Sequence, residues 1–94
     1  MTVTSNAASL IAGRITEFVR ENLLYMRPDF VLTADVKLID NRIIDSMGVL
    51  ELIAFLEESF SIAIRDDEVN EANLGSVALI AEFVVRKRTA AGEV

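Results

Sequence analysis

From Val49 to Phe60 the residues Val49, Leu52, Ile53, Leu56 and Phe60 recur at i, i+3, i+4, i+7 and i+11. That spacing lines one face of an α-helix and fits no strand, whose side chains alternate with a period of two. The helix is expected from about Ser46 to Phe60, with Asp45 in place to cap it. A stripe this apolar needs other elements to cover it, and the flanking sequence offers them in the same form. Thr4, Ser5 and Asn6 can cap a first helix. Ile11, Ile15, Phe18, Val19 and Asn22 keep helical spacing, which predicts that helix over about Ser5 to Tyr25. Pro28 disfavours helical geometry at Arg27 and should end it. Ser76 can cap a last helix from Val77 to about Arg88, with Val77, Ile80, Ala81 and Val84 facing the core. Arg86, Lys87 and Arg88 lie at the negative end of its dipole.

The connections are uneven. Asp29 to Ile44 reads as a long ordered loop, with turn chemistry at Asp35, Asp40 and Asn41. It is rich in apolar residues: Phe30, Val31, Leu32, Val36, Leu38, Ile39, Ile43 and Ile44. Short strands compete with this reading, but no clean alternation persists over a strand length. Such a loop should pack over the helices and close one side of the core. Further on, Ile62, Ile64 and Val69 are expected to be buried. Asp66-Asp67-Glu68 suggests a short helical turn, and Asn73, Gly75 and Ser76 break the chain. The expected fold is all-α: a bundle of three longer helices plus one short helix, with a long loop between helices one and two. At 94 residues it forms one domain, 1–94, ordered from about 5 to 88, with one modest core.

The residue inventory closes off several kinds of chemistry. The chain contains no Cys and no His. Disulfides, thiolate metal sites, cysteine nucleophiles and a Ser-His-Asp triad are therefore excluded. Asp66, Asp67, Glu68 and Glu71 lack the ligand spacing and central glycine of a calcium-binding EF-hand loop. No side-chain pair suggests catalysis or metal binding, so neither is expected of the chain itself. No apolar run is long enough for membrane insertion, and Met1 to Ala8 lacks the basic start and apolar stretch of a secretory signal. The cytoplasm is the expected compartment.

Charge is concentrated in the middle. Overall the chain carries −6, but Asp45 to Glu71 holds eight acids against Arg65 alone, a local −7. Nucleic acid is not an expected partner, because phosphate binding needs clustered Lys and Arg. A basic patch on a protein is the natural complement. On the helix from Ser46, Met47, Leu50 and Ala54 fall partly outside the core stripe, among Glu51, Glu57 and Glu58. Apolar residues bordered by acids suit docking to a partner, with a solvated helix face as the plain alternative.

At the start of that helix stands Asp45-Ser46-Met47-Gly48, preceded by Ile43-Ile44. It is followed by Glu51-Leu52, Phe55-Leu56-Glu57-Glu58, Phe60, Ile62 and Ile64. Taken with the order of elements, this pattern resembles the acyl carrier protein family and its aminoacyl- and peptidyl-carrier relatives, over roughly Ser5 to Arg88. The resemblance implies a carrier, not an enzyme. Ser46 would carry 4′-phosphopantetheine, taken from coenzyme A by a phosphopantetheinyl transferase. Asp45 would help that transferase place its metal and substrate. Met47, Leu50, Glu51, Ala54, Glu57 and Glu58 would meet basic docking patches on an acyl- or aminoacyl-activating enzyme and on downstream acyl-processing enzymes. The physical setting agrees, since the unpaired N–H groups of a helix N-terminus favour a phosphodiester anion. Gly48 would keep side-chain bulk away from the group on Ser46. The arm's thiol would stand in for the cysteine that the chain lacks.

Departures from the fatty-acid-synthesis carriers concern cargo and partners. Gly48 stands where those usually have an acid, and Ala54 where they have a larger apolar residue. Ala63 stands at another acid position, Arg65 often at a proline, and Asn70 to Gly75 is longer. Asp45-Ser46-Met47-Gly48 is closer to stand-alone carriers of specialised pathways, including some that carry amino acids. The chain starts and ends near the domain edges, as expected of a free-standing, monomeric carrier. An aminoacyl or peptidyl carrier of a specialised pathway is one alternative. An acidic helical module that binds a basic partner without modification is another.

Overall fold

The computed structural model describes residues 3–90. Their elements are α1 (Val3–Asn22), α2 (Ser46–Phe60), a 3₁₀ turn (Asp66–Glu68), α3 (Glu71–Leu74) and α4 (Val77–Ala90). The fold among these residues is all-helical, with three longer helices, one short helix and a long connection after α1.

In α1, Ile11, Ile15 and Val19 are buried and Phe18 is half-buried, as the spacing predicted. Both ends differ from expectation. Thr4, Ser5 and Asn6 lie inside the helix and do not precede it. Residues that favour caps are also tolerated within a helix at modest cost, so their presence does not fix a start. At the other end α1 stops at Asn22, three residues short of Tyr25. The Leu23 and Leu24 amides both donate to the Val19 carbonyl, at 2.8 and 2.9 Å, and Leu24 turns into the core. Asn22 is exposed and donates through Nδ2 to the Phe18 carbonyl at 3.0 Å. It therefore closes the helix end and does not continue the buried stripe.

The long connection covers one side of the core as expected, and Leu38 anchors it. Leu38 is fully buried; its amide donates to the Gly75 carbonyl at 2.9 Å. Its carbonyl accepts the Ile43 and Ile44 amides at 2.8 and 3.2 Å. Ile43 and Ile44 are thereby buried immediately before α2. The Ala78 amide donates to the Ala34 carbonyl at 3.0 Å, a second tie to the start of α4. Arg20 and Arg27 donate to the Phe30 and Asn41 carbonyls at 2.9 and 3.0 Å. Val31 and Ile39 remain exposed. Arg42 sits in the left-handed region at φ 58°, where a side chain is strained.

α2 keeps the expected bounds and buries Leu52, Leu56 and Phe60, with Val49 and Ile53 half-buried beside them. Full burial of Leu52 and Leu56 contributes about 1.5–3 kcal/mol each. α1 packs most extensively against α4. Its link to α2 is aromatic: Phe18 stacks on Phe55 with ring centroids 4.4 Å apart. Arg14 lies over the Phe60 ring, 5.1 Å from its centroid.

Beyond α2, Ile62 and Ile64 are half-buried, but Val69 is 36% exposed. Polar bonds, not burial, fix its turn: the Val69 amide donates to the Asp66 carbonyl at 3.2 Å. The short helix α3 runs where the sequence suggested a break. The Asn70 side chain caps it by accepting the Asn73 amide at 2.9 Å, which places Asn73 inside the helix. Gly75 ends it; a Cβ there would collide with the Glu71 carbonyl oxygen, so glycine is what fits. Ser76 Oγ accepts the Leu79 amide at 3.2 Å and opens α4. Val77, Ile80, Ala81 and Val84 are buried as expected, and so is Phe83, which the predicted stripe omitted.

Candidate functional site

The site centres on the first turn of α2. Asp45 has extended backbone (φ −117°, ψ −169°), and its Oδ1 accepts the Gly48 amide at 2.8 Å while its carbonyl accepts the Val49 amide at 2.9 Å. The side chain thereby satisfies one of the free amides at the helix start, that of Gly48, and the Val49 bond is the first of the helix itself. Those of Ser46 and Met47 have no acceptor among the described residues. Ser46 is the first helical residue and is exposed, so its hydroxyl stands in solvent beside these two amides. The buried pair Ile43 and Ile44 fixes the approach to the turn from below.

Gly48 serves the interior. It is buried, and a Cβ there would lie 3.3 Å from Leu23 Cδ2 and 3.4 Å from Asp45 Oδ1. The glycine admits Leu23 and the cap against the helix, which corrects the expectation that it clears space around Ser46. Contact with Leu23 also brings the chain after α1 to this end of α2. Tyr25 and Met26 follow directly, 68% and 77% exposed. No local pattern signals this approach, because it depends on where α1 ends.

Along α2, Met47 is 69% and Leu50 64% exposed, and Glu51, Ala54 and Glu58 are exposed as well. These five residues share the solvent side of a helix whose opposite side is core, an apolar surface edged by carboxylates. Glu57 departs from the group. It is half-buried, and its Oε2 accepts the Ile64 amide at 2.8 Å. The expectation had all the helix acids facing a partner, whereas Glu57 faces the chain that follows α2.

Two further acids of the middle region, Asp67 and Glu68, are also engaged. Arg65 pairs with Asp67 at 3.0 Å. That hydrogen bond raises the Arg65 pKa and holds the Asp67 carboxyl below its ordinary value. Glu68 Oε1 accepts both the Arg65 amide and Lys87 Nζ at 2.9 Å. The backbone hydrogen bond, then the lysine, pushes the Glu68 carboxyl down. Asn73 bridges the Glu68 carbonyl (2.9 Å) and Arg86 (3.0 Å), fixing the 3₁₀ turn and α3 to α4. Asp66, Asp67, Glu68 and Glu71 form no metal-holding group among the described residues.

A surface groove of about 630 Å³ opens between the long connection and the start of α4, lined by Asp35, Lys37, Glu71, Ala78, Leu79 and Glu82 among others. None of its lining residues belongs to α2. No helix among the described residues is long and apolar enough to cross a membrane. Comparison with protein-family models and with curated proteins gave no match to this chain.

Proposed function

We propose that this chain is a discrete carrier protein whose Ser46 hydroxyl bears 4′-phosphopantetheine. The observation that carries the reading is the exposed Ser46 at the start of α2, held there by the Asp45 cap and flanked by two unengaged amides. A phosphodiester fits this setting. The Ser46 and Met47 N–H groups can donate to its oxygens, and the helix dipole favours its negative charge. The Asp45 carboxylate opposes that charge, but it is exposed, so solvent screens the repulsion. In the modifying reaction Ser46 Oγ would attack the pyrophosphate of coenzyme A. An Oγ–P bond forms, adenosine 3′,5′-bisphosphate leaves, and the hydroxyl proton passes to a base of the transferase. The bound group would supply a terminal thiol for thioester-linked cargo.

In this reading the chain's own residues bind and orient, and the chain is not an enzyme. Asp45 fixes the turn that presents Ser46 and offers a carboxylate to the transferase's metal. Met47, Leu50 and Ala54 form the apolar centre of the docking face, with Glu51 and Glu58 meeting basic residues of activating and acyl-processing partners. The cargo is an acyl group, or an aminoacyl group in a specialised pathway, and the setting is cytoplasmic. A second reading, an unmodified interaction module, is favoured by one observation. The exposed Met47 and Leu50 among acids would suit a basic partner whether or not Ser46 is modified. A fluorophore-bearing coenzyme A analogue, a phosphopantetheinyl transferase and magnesium separate the two. Carrier function predicts label on the wild-type chain and none on Ser46→Ala. An unlabelled, folded wild type alongside a labelled control carrier contradicts it.

A further inference from the structure

We infer that Glu57 is an internal latch that a cationic side chain of a docking partner can open. The inference rests on the reading of α2 as a docking helix. Three features of the chain beyond α2 carry it. Ser61, the residue that ends the helix, lies in the left-handed region at φ 56° although it is not glycine. Such a conformation persists only where surrounding contacts hold it. The Glu57 carboxylate supplies such a contact, because its bond to the Ile64 amide spans Ser61 and closes the turn. Beyond Ile64 the chain is tied to α4 through Glu68, Asn73, Lys87 and Arg86, but those bonds begin only at Arg65. Ile62 to Ile64 has no other side-chain bond holding it to α2 among the described residues.

Glu57 directly precedes Glu58 on the acidic part of α2, and part of Glu57 remains open to solvent. An arginine or lysine docking there meets two carboxylates, of which one is already in use. Both bonds are charge-assisted, but a cationic side chain adds a full positive charge, and a guanidinium can also grip the carboxylate with two bonds. Glu57 would therefore turn to the cation, free the Ile64 amide and leave the left-handed turn at Ser61 without its clamp. Docking on α2 is thus coupled to loosening of the segment that leads to the 3₁₀ turn and α3. In Glu57→Gln an amide oxygen remains to accept from Ile64, but the charge that draws the cation is gone.

The test is residue-resolved amide exchange at Ile64, with penta-arginine at low ionic strength as the cationic probe. In the free protein, Glu57→Ala should exchange about tenfold faster at Ile64, with Glu57→Gln close to wild type. Penta-arginine should speed Ile64 exchange in the wild type and in Glu58→Gln, but not in Glu57→Gln. An equal response in all three chains would be only the electrostatic field of the peptide, and would overturn the latch. So would an Ile64 rate that neither Glu57→Ala nor the peptide changes. If one Glu57 variant fails to fold, the other still tests the contact, and a flat Ile64 rate in both wild type and Glu58→Gln overturns the latch. Labelling of Ser46 is read separately, so failure of the carrier reading and failure of the latch are distinguishable.

Discussion

The Asp45 side chain caps α2 and, in the carrier reading, also serves the transferase; two substitutions divide these roles. Its Oδ1 accepts the amide of buried Gly48 at 2.8 Å. Replacing an N-cap Asp by Ala costs about 1 kcal/mol, with a range of roughly 0.5–2. The amide left behind is partly shielded, and an unsatisfied buried donor costs about 1–3 kcal/mol. These figures describe the same lost bond, so Asp45→Ala should cost about 1–2 kcal/mol in total. In a chain of 94 residues each kcal/mol lowers Tm by roughly 4–8 °C. Asn caps as well as Asp does, and it keeps the acceptor oxygen. It gives up a favourable helix-dipole term of about 0.3–1 kcal/mol but removes one acid from a strongly acidic region, so the net change should be within about 0.5 kcal/mol. Thermal and urea unfolding followed by circular dichroism would measure both. If Asp45 also serves the transferase through its charge, Asp45→Asn should fold like wild type and be modified far more slowly. Asn destabilising as much as Ala, or Ala leaving stability unchanged, would refute the capping role.

Other perturbations address the fold and its charges. Arg42 is left-handed at φ 58° with no side-chain bond among the described residues, so Arg42→Gly should raise stability by about 1 kcal/mol, read as an increase in Tm. Leu56→Ala removes a fully buried side chain and should cost about 2–5 kcal/mol in urea unfolding, whereas Leu50→Ala on the exposed face should stay within about 0.5 kcal/mol. Glu68 and Asp67 both ionise below their ordinary values. Their stabilisation is therefore fully present above the unfolded carboxylate pKa of about 4 and is lost as pH falls through the native values. Tm should drop on acidification below about pH 4, and Glu68→Gln should flatten that slope.

What the sequence conveyed divides by the range of the interaction. The α2 stripe, its Asp45 cap and the Ser76 cap of α4 are local patterns, and each appears where its spacing placed it. The end of α1 depends on Leu24 folding back into the core, which needs the rest of the bundle. The apolar character of the long connection showed that it would pack. That Leu38 would carry it, through a bond to the distant Gly75 carbonyl, is not visible in any local run. α3 has four residues, too few for periodicity, and only the Asn70 cap announces it. At the site, the sequence picked out the exposed Ser46 and the Met47–Leu50 surface but misread two neighbours. Gly48 looked like a clearance for Ser46 and is a seat for Leu23. Glu57 looked like one more surface acid, because the left-handed turn that brings Ile64 back to it occurs at a serine, which carries no sequence signal for that conformation.

The carrier reading stands or falls on covalent modification of Ser46. The purified chain, incubated with coenzyme A, magnesium and a broad-specificity phosphopantetheinyl transferase, would be weighed intact beside Ser46→Ala, with the helical spectrum of both recorded. Ser46 is exposed and its side chain caps nothing, so the variant should fold like wild type. A carrier should gain the mass of one 4′-phosphopantetheine on the wild type, mapped to the Ser46 peptide, and none on the variant. A folded wild type that gains no mass while a control carrier is modified, or a gain that persists in Ser46→Ala, would contradict it.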